Sequence, residues 1–403
     1  MPSAFLHPFA RPTREHFVRI VRGEGALVYD ADGRELVDGM AGLWYCAIGH
    51  GRPEMAEAIA AQVTTLEAYS CFDPFTNDPA ERLADRLRAI APMPDARVFF
   101  TTSGSEAVDT AMKLARLAHV LAGHPERTLI VSRGRGYHGV AYGGTSAQGI
   151  PPNREGFGPL VGDVVNVPPD DVEALASLMA ERGDEVAAVI TEPVQGAGGV
   201  FPPPEGYLEA LRRLCDRSGA YLIFDEVISG FGRLGRWFGA HHYGVTPDLC
   251  TFAKAVTSGY LPLGGVFVGD AVRGPLEADD AFVLRHGFTY SGHPTACAAA
   301  LANLDIVERE GLVGRARHVG ERLATGLHAV LADGQVAQVR GEVAVWAVAH
   351  HPGRDPVAVR DRMLELGVIT RAVGADTNTF CPPLVATDDQ IDRIVDALAQ
   401  ALR

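Results

Sequence analysis

Lysine is almost missing from this chain: of 36 basic side chains only Lys113 and Lys254 are lysines, and the other 34 are arginines. A guanidinium neither loses its proton in proteins nor condenses with a carbonyl, so any role that needs an imine-forming amine falls on these two residues. Positive charge is also short, the net charge being -14. That excludes the sequence-independent phosphate attraction on which nucleic-acid binding rests. No apolar run approaches the roughly 18 to 20 residues that span a bilayer, and the opening MPSAFLHPFARPTREHF holds no signal-like apolar segment, so a cytoplasmic location without membrane partners is expected. Cysteine is sparse and scattered: Cys46, Cys71, Cys215, Cys250, Cys297 and Cys381 include no C-x-x-C pair. Buried free thiols are the favoured reading over disulfides or zinc. The pairs His241 with His242 and His350 with His351 are adjacent rather than a helical turn apart, so no metal site is expected.

What remains is an ordinary globular composition, 47% apolar and 21% charged over 403 residues. That length exceeds what one core usually covers, so two subdomains of unequal size are expected. The stretch that organises the rest is AYLIFDEVISGFGRLGRWFGAHHYGVTPDLCTFAKAVTSGYLPLGG, from Ala220 to Gly265. Tyr221 to Phe224 form an apolar run that ends in Asp225 and Glu226, and Leu249 to Ala253 form another that ends in Lys254. Polar residues at the mouths of buried parallel strands occupy the edge where open α/β sheets bind ligands. An acid and an imine-forming amine on two such ends are the groups pyridoxal phosphate requires: a counter-ion for its ring nitrogen and a Schiff-base partner. Each also has a plainer reading, Asp225 as a turn cap and Lys254 as a solvated loop residue.

Other stretches supply the remaining parts. Gly25 to Met40 alternates apolar and polar residues about the turn Ala31, Asp32, Gly33, a hairpin signal. Arg52 to Thr65 has helical period, and a second helix begins at Pro79 with Asp78 as its expected N-cap. Arg97 to Thr101 reads as a strand that feeds the small-residue turn Thr102, Ser103, Gly104, Ser105 and then a strongly periodic helix. Such a helix start presents free N–H groups and a positive dipole end to a phosphate; its plainer reading is an N-cap at Ser103 or Ser105. Lys113 lies within that helix, four residues after Asp109, and a surface ion pair accounts for it. Five glycines surround Tyr137 and His138, marking a loop whose backbone approaches something closely. Asn153 to Pro169 reads as an irregular connection, and Val186 to Thr191 as a buried strand ending at Glu192 and a glycine-rich turn. Gly230, Gly232 and Gly235 match G-x-G-x-x-G, yet four residues separate them from the strand and no good helix follows, so a dinucleotide site is not expected.

The pieces DGMAGLW, FFTTSGSEAVDTAMKLAR, GYHG, TEPVQGAGGV, FDEVISGFGRLG, AKAVTSGYLPLGG and HGFTYSGHP occur in this order. They resemble a fold-type I pyridoxal-phosphate enzyme of the class III aminotransferases, and within that class the omega-amino-acid or amine:pyruvate transaminases. The resemblance implies an α/β fold: a large domain over residues 51–299 with a mostly parallel sheet, and a small α+β domain made from both chain ends, residues 1–50 and 300–403. It implies that Lys254 carries the Schiff base and shuttles a proton, and that Asp225 keeps the pyridine nitrogen protonated. Tyr137 and Val227 would face the two sides of the ring, with His138 beside it and Glu192 near its phenolic oxygen. Ser103, Gly104 and Ser105 would bind the phosphate, joined by Thr289 from the partner subunit of an obligate homodimer.

Trp44, Phe72 from the other subunit, Ala197, Ile228 and Arg371 would line the substrate pocket. In the branch that handles ornithine or GABA an acid usually stands where this chain has Ala197, parking an arginine when no carboxylate is bound. Here Arg371, in VITRAVGAD, has no such fixed partner, which implies that a primary amine or omega-amino acid donates nitrogen to pyruvate. A 2-oxoglutarate-dependent diamine enzyme and an aminomutase are the alternatives. One departure from the family pattern is Val343, which follows Arg340, Gly341 and Glu342 where a second glycine is usual.

Overall fold

The computed structural model describes residues 4–403, so residues 1–3 of the expected N-terminal contribution lie outside it. The chain opens with three short strands, β1 (Ile20–Glu24), β2 (Leu27–Asp30) and β3 (Glu35–Asp38), then a kinked turn α1 (Ala41–Trp44) and two helices, α2 (Pro53–Leu66) and α3 (Asp78–Ile90). The middle alternates strands and helices: β4 (Arg97–Thr101), α4 (Gly104–Leu121), β5 (Leu129–Arg133), α5 (Tyr142–Ala147), β6 (Val164–Val167), α6 (Val172–Arg182), β7 (Val186–Thr191), α7 (Tyr207–Ser218), β8 (Tyr221–Asp225), α8 (Gly239–Tyr243), β9 (Leu249–Phe252), β10 (Gly264–Val268) and α9 (Asp270–Glu277). After α10 (Pro294–Arg309) and α11 (Leu312–Ala332) come β11 (Gln338–Glu342), β12 (Val345–Ala349), α12 (Pro356–Glu365), β13 (Val368–Ile369), β14 (Arg371–Val373), β15 (Thr377–Phe380) and α13 (Asp388–Ala401).

Seven strands form the large sheet in the order β4-β10-β9-β8-β7-β5-β6. Neighbours from β9 to β6 run parallel, and β10 is antiparallel to both β9 and β4. Both faces are covered, which is why β7, β8 and β9 are apolar along their length instead of alternating. On one face α4 packs through Ala107, Ala111 and Ala115 against Ile130, Ala188, Ile223 and Val266. Alanines one turn apart leave a shallow stripe that lets the helix lie close to the sheet. On the other face Leu175 of α6 and Leu208 and Leu211 of α7 meet Leu129, Val131, Val189 and Leu222. Each such leucine contributes about 1.5–3 kcal/mol by leaving water.

The two chain ends share a second core. Strand β13 pairs in parallel with β3, and Ala26 and Val37 pack with Val319, Leu323, Ile391, Ile394 and Leu398. The expected boundary at 299/300 falls inside α10, which packs as one piece among residues of α2 and α3; the chain turns away at Gly311, in the left-handed region with φ of +63°. Two expectations are corrected. The N-cap of α3 is Asn77, whose extended backbone lets its side chain accept from the Ala80 N–H, with Asp78 already helical. The connection read as irregular contains β6, paired with β5 through Ile130 and Val164. The six cysteines are free, and five are buried while Cys71 is half-exposed. No described helix is long and apolar enough to cross a membrane.

Val343 sits in the β11–β12 turn at φ of +45°, a conformation that costs a side-chain-bearing residue about 1–2 kcal/mol. Its carbonyl is fixed by the Trp346 Nε1 donor at 2.6 Å. Gly320 of α11 lies directly beneath: a Cβ added there would stand 1.8 Å from that carbonyl oxygen. Alanine gains about 1 kcal/mol of helix propensity over glycine, but overpacking against fixed backbone costs about 1–3 kcal/mol. Gly320→Ala is therefore expected to lower the thermal midpoint; a midpoint at or above that of the parent chain would contradict the close approach.

Candidate active site

Strands β7, β8 and β9 are parallel neighbours, so their last residues arrive together at one sheet edge. The Asp225 carboxylate is buried there and takes three hydrogen bonds: His138 Nδ1–H at 2.9 Å, Thr251 Oγ1–H at 3.1 Å and the Val227 N–H at 3.2 Å. Lys254 leaves β9 at φ of +50°, which turns its side chain from the strand into the adjoining cavity. Among the described residues its amine makes no hydrogen bond or ion pair; its nearest aromatic face is Trp44, 5.8 Å from the ring centre. Burial lowers its pKa from the usual lysine range, opposed by the charges of Asp225 and Glu192. A depressed, unengaged amine is the form that attacks a carbonyl.

The start of α4 faces the same space. Ser103 caps the helix, accepting from the Glu106 N–H at 3.2 Å, and the Glu106 carboxylate reaches back to the Thr102 N–H at 2.7 Å. Among the described residues the N–H groups of Gly104 and Ser105 have no partner. They stand at a helix N-terminus, the arrangement that receives a phosphate. A side chain on Gly104 would come within 3.0 Å of the Val227 methyl, so this position keeps the backbone accessible.

One face of α4 also fixes the glycine-rich loop. Ser105 Oγ accepts from the Val140 N–H at 3.0 Å, and Asp109, one turn on, accepts from the Gly144 N–H at 2.8 Å. Asp109 is thus engaged by backbone, and its expected ion pair with Lys113 is replaced: Lys113 Nζ lies 3.0 Å from His286 Nδ1, while His286 Nε2 meets Thr110 Oγ1 at 2.9 Å. Glu192 holds the other side of the loop, its two oxygens accepting the N–H groups of Tyr137 and Gly196, both at 2.9 Å. Burial pushes the Glu192 carboxyl up to about 7.

These groups enclose a cavity of about 650 Å³ lined by Gly104, Ser105, Tyr137, Val227, Lys254 and Arg371, with His138, Glu192, Asp225, Trp44, Ala197 and Ile228 completing the wall. The Arg371 guanidinium lies 5.3 Å from the Trp44 ring centre and, among the described residues, has no carboxylate partner. Burial lowers its pKa, with Tyr137 opposing. Ser103 is set back as the cap. Phe72 and Thr289 are exposed on this same chain, with 53% of Phe72 accessible, and neither lines its cavity. Pro8, Phe9, Leu43, Ile150 and Asn153 do line it and escaped the sequence reading. No periodicity marks them, because they lie in loops or, for Leu43 and Asn153, in a kinked turn and a single 3-10 turn, and only the folded chain brings them to the pocket.

The cradle fits pyridoxal phosphate by its own chemistry: an unengaged amine, a buried acid, two free helix-start N–H groups, and Tyr137 and Val227 on the walls. The Aminotransferase class-III family model matches residues 9–402. The chain belongs to the class-III aminotransferases. It is a pyridoxal-phosphate-dependent enzyme of α/β fold-type I architecture. Among relatives, it is 38% identical to the beta-alanine–pyruvate aminotransferase of Pseudomonas aeruginosa, over 95% of this chain and 91% of that one. It is also 37% identical to the diaminobutyrate–2-oxoglutarate transaminase of Halomonas elongata, over 95% and 89%. A solved amine transaminase from an uncultivated Pseudomonas species, in its PLP-bound form, superposes with a TM-score of 0.94 at 37% identity, covering 100% of this aminotransferase and 99% of that chain.

Proposed function

We propose that this aminotransferase moves the amino group of a primary amine or omega-amino acid to pyruvate, in two half-reactions at one site. The observation that carries the reading is Arg371: a guanidinium on the pocket wall with no carboxylate partner among the described residues, in a cavity it shares with the apolar Ala197 and Ile228. A free fork of donors binds the carboxylate of a keto acid. No fixed acid has to be displaced when the donor lacks a carboxylate.

Lys254, Asp225, Gly104 and Ser105 would hold the cofactor at its carbonyl, ring nitrogen and phosphate. Bound pyridoxal phosphate supplies a carbonyl that captures the donor amine and a ring that takes up the electrons released when the donor C–H bond breaks. Asp225, fixed by three donors, would be the counter-ion of the ring nitrogen. The Lys254 amine would take the proton from the donor carbon, the work of a positioned general base. Tyr137 and Val227 would flank the ring, and Glu192 holds Tyr137 in place by accepting its backbone N–H. The active unit in this reading is a homodimer in which Thr289 and Phe72 complete the neighbouring site. Their exposure, shared with Phe75 and Tyr290, supports this assignment, since such apolar side chains clustered on a surface favour an interface.

Arg371→Ala is the direct test. Losing a buried partner for a charged ligand costs about 2–5 kcal/mol, so kcat/KM for pyruvate should fall roughly 30- to several-thousandfold. The half-reaction with 1-phenylethylamine should change by only a few fold. Equal losses on both sides would remove the carboxylate role. The relationship to the Halomonas elongata enzyme keeps 2-oxoglutarate as the second acceptor to test; faster turnover with it than with pyruvate would replace the pyruvate assignment.

A further inference from the structure

The turn that carries Ala197 borders an arrangement that none of the assigned roles uses. Phe201 lies between two guanidinium groups, with Arg135 Cζ 4.0 Å and Arg340 Cζ 4.2 Å from its ring centre. Arg135 is paired with Asp170, a carboxylate it shares with Arg133. Arg340 has no ion pair among the described residues; its Nε–H donates to the Gly199 carbonyl at 2.8 Å, and its Nη2 donates to Thr377 Oγ1 at 2.7 Å. The Thr377 hydroxyl in turn donates to Asp376 at 2.8 Å.

Each end of this clamp belongs to one wall of the pocket. Gly199 closes the tight turn that carries Ala197: its N–H meets the Gly196 carbonyl at 3.0 Å, and Gln195 and Phe201 exchange backbone hydrogen bonds at 3.0 and 2.9 Å. Gly199 itself is at φ of +127°, and an added Cβ would sit 3.1 Å from Arg340 Nη2, so the turn accepts the guanidinium closely. On the other side, β15 pairs antiparallel with β14, placing Thr377 opposite Val373 and Thr379 opposite Arg371. Thr379 Oγ1 also donates to the Arg371 carbonyl at 3.3 Å. Arg340 therefore spans from the Ala197 turn to the strand pair that carries Arg371.

We infer that Arg340 is a positioning residue for the acceptor carboxylate: it sets the gap between the Ala197 turn and Arg371 by bonding to both walls and stacking on Phe201. This rests on the proposed role of Arg371. Lysine cannot take the place, because only a planar guanidinium stacks on a ring while donating in two directions. Burial lowers the Arg340 pKa, Asp376 opposing and Arg135 reinforcing, in keeping with a charge held by hydroxyl and carbonyl rather than by a direct carboxylate.

The test uses holoenzyme of Arg340→Met, Arg340→Lys and Thr377→Val, each assayed in separate half-reactions. A misplacement of the order of 1 Å costs roughly a hundredfold, so the KM for pyruvate should rise roughly ten- to a hundredfold in both Arg340 variants, and less in Thr377→Val. The half-reaction with 1-phenylethylamine and the KM for a simple aldehyde acceptor should stay within a few fold. Equal losses toward pyruvate, aldehyde and amine would mark a general structural role and overturn the inference, as would an unchanged pyruvate KM in all three variants. If Arg371→Ala is selective for the carboxylate and the Arg340 variants are not, this inference alone fails. If Arg371→Ala is not selective, the reading beneath it fails.

Discussion

Lys254→Ala will retain its fold and lose turnover by more than roughly 10⁴-fold, the upper end of what one positioned acid–base group supplies. The expectation exceeds that range because the same nitrogen is asked both to bond the cofactor and to move the proton. The only other lysine, Lys113, is held at His286 and does not line the cavity, so it cannot stand in. Borohydride treatment followed by peptide mass measurement checks the covalent part: the parent chain gains cofactor mass at residue 254, and the variant does not. Retention of even one per cent of the activity, on the order of a 10²-fold loss, would place the chemistry elsewhere.

Asp225→Ala is expected to lower both half-reactions by roughly 10²- to 10⁴-fold while the cofactor still binds through Lys254 and the start of α4. The substitution strands the donors of His138, Thr251 and Val227, which now meet the carboxylate at 2.9, 3.1 and 3.2 Å. Each buried group left without its partner costs about 1–3 kcal/mol, so thermal stability should fall as well. Asp225→Asn separates the two effects, because the amide keeps an acceptor for these donors but cannot carry the charge that holds a proton on the ring nitrogen. A rapid Asp225→Asn enzyme would show that hydrogen bonding, not charge, is the contribution of this residue.

Much of this site was legible because its chemistry is punctuated locally. Apolar runs that stop at Glu192, Asp225 and Lys254 identify strand ends, and a small-residue turn before a periodic helix identifies the helix start that faces the cavity. The scarcity of lysine did the rest, leaving two candidates for an amine. Errors arose where partners are distant or elements are short. Asp109 and Lys113 have the spacing of a helical ion pair, yet backbone donors in the first turn of α5 and His286, 173 residues away from Lys113, claim them instead. Strands β6, β10 and β15 went unread: two have four residues and β10 begins with two glycines, so each takes its conformation from neighbours in the sheet rather than from its own propensity.

The sequence by itself determined which chemical groups are available and on what kind of local element each one stands, since helix starts and buried strands are written in short-range patterns. Only the tertiary structure decided which of them meet. His138 and Asp225 are 87 positions apart, Tyr137 and Glu192 are 55 apart, and Arg340 reaches Gly199 across 141. Those pairings follow from strand order, register and the burial of two-faced sheets, in which each contact depends on all the others and no single segment carries the information.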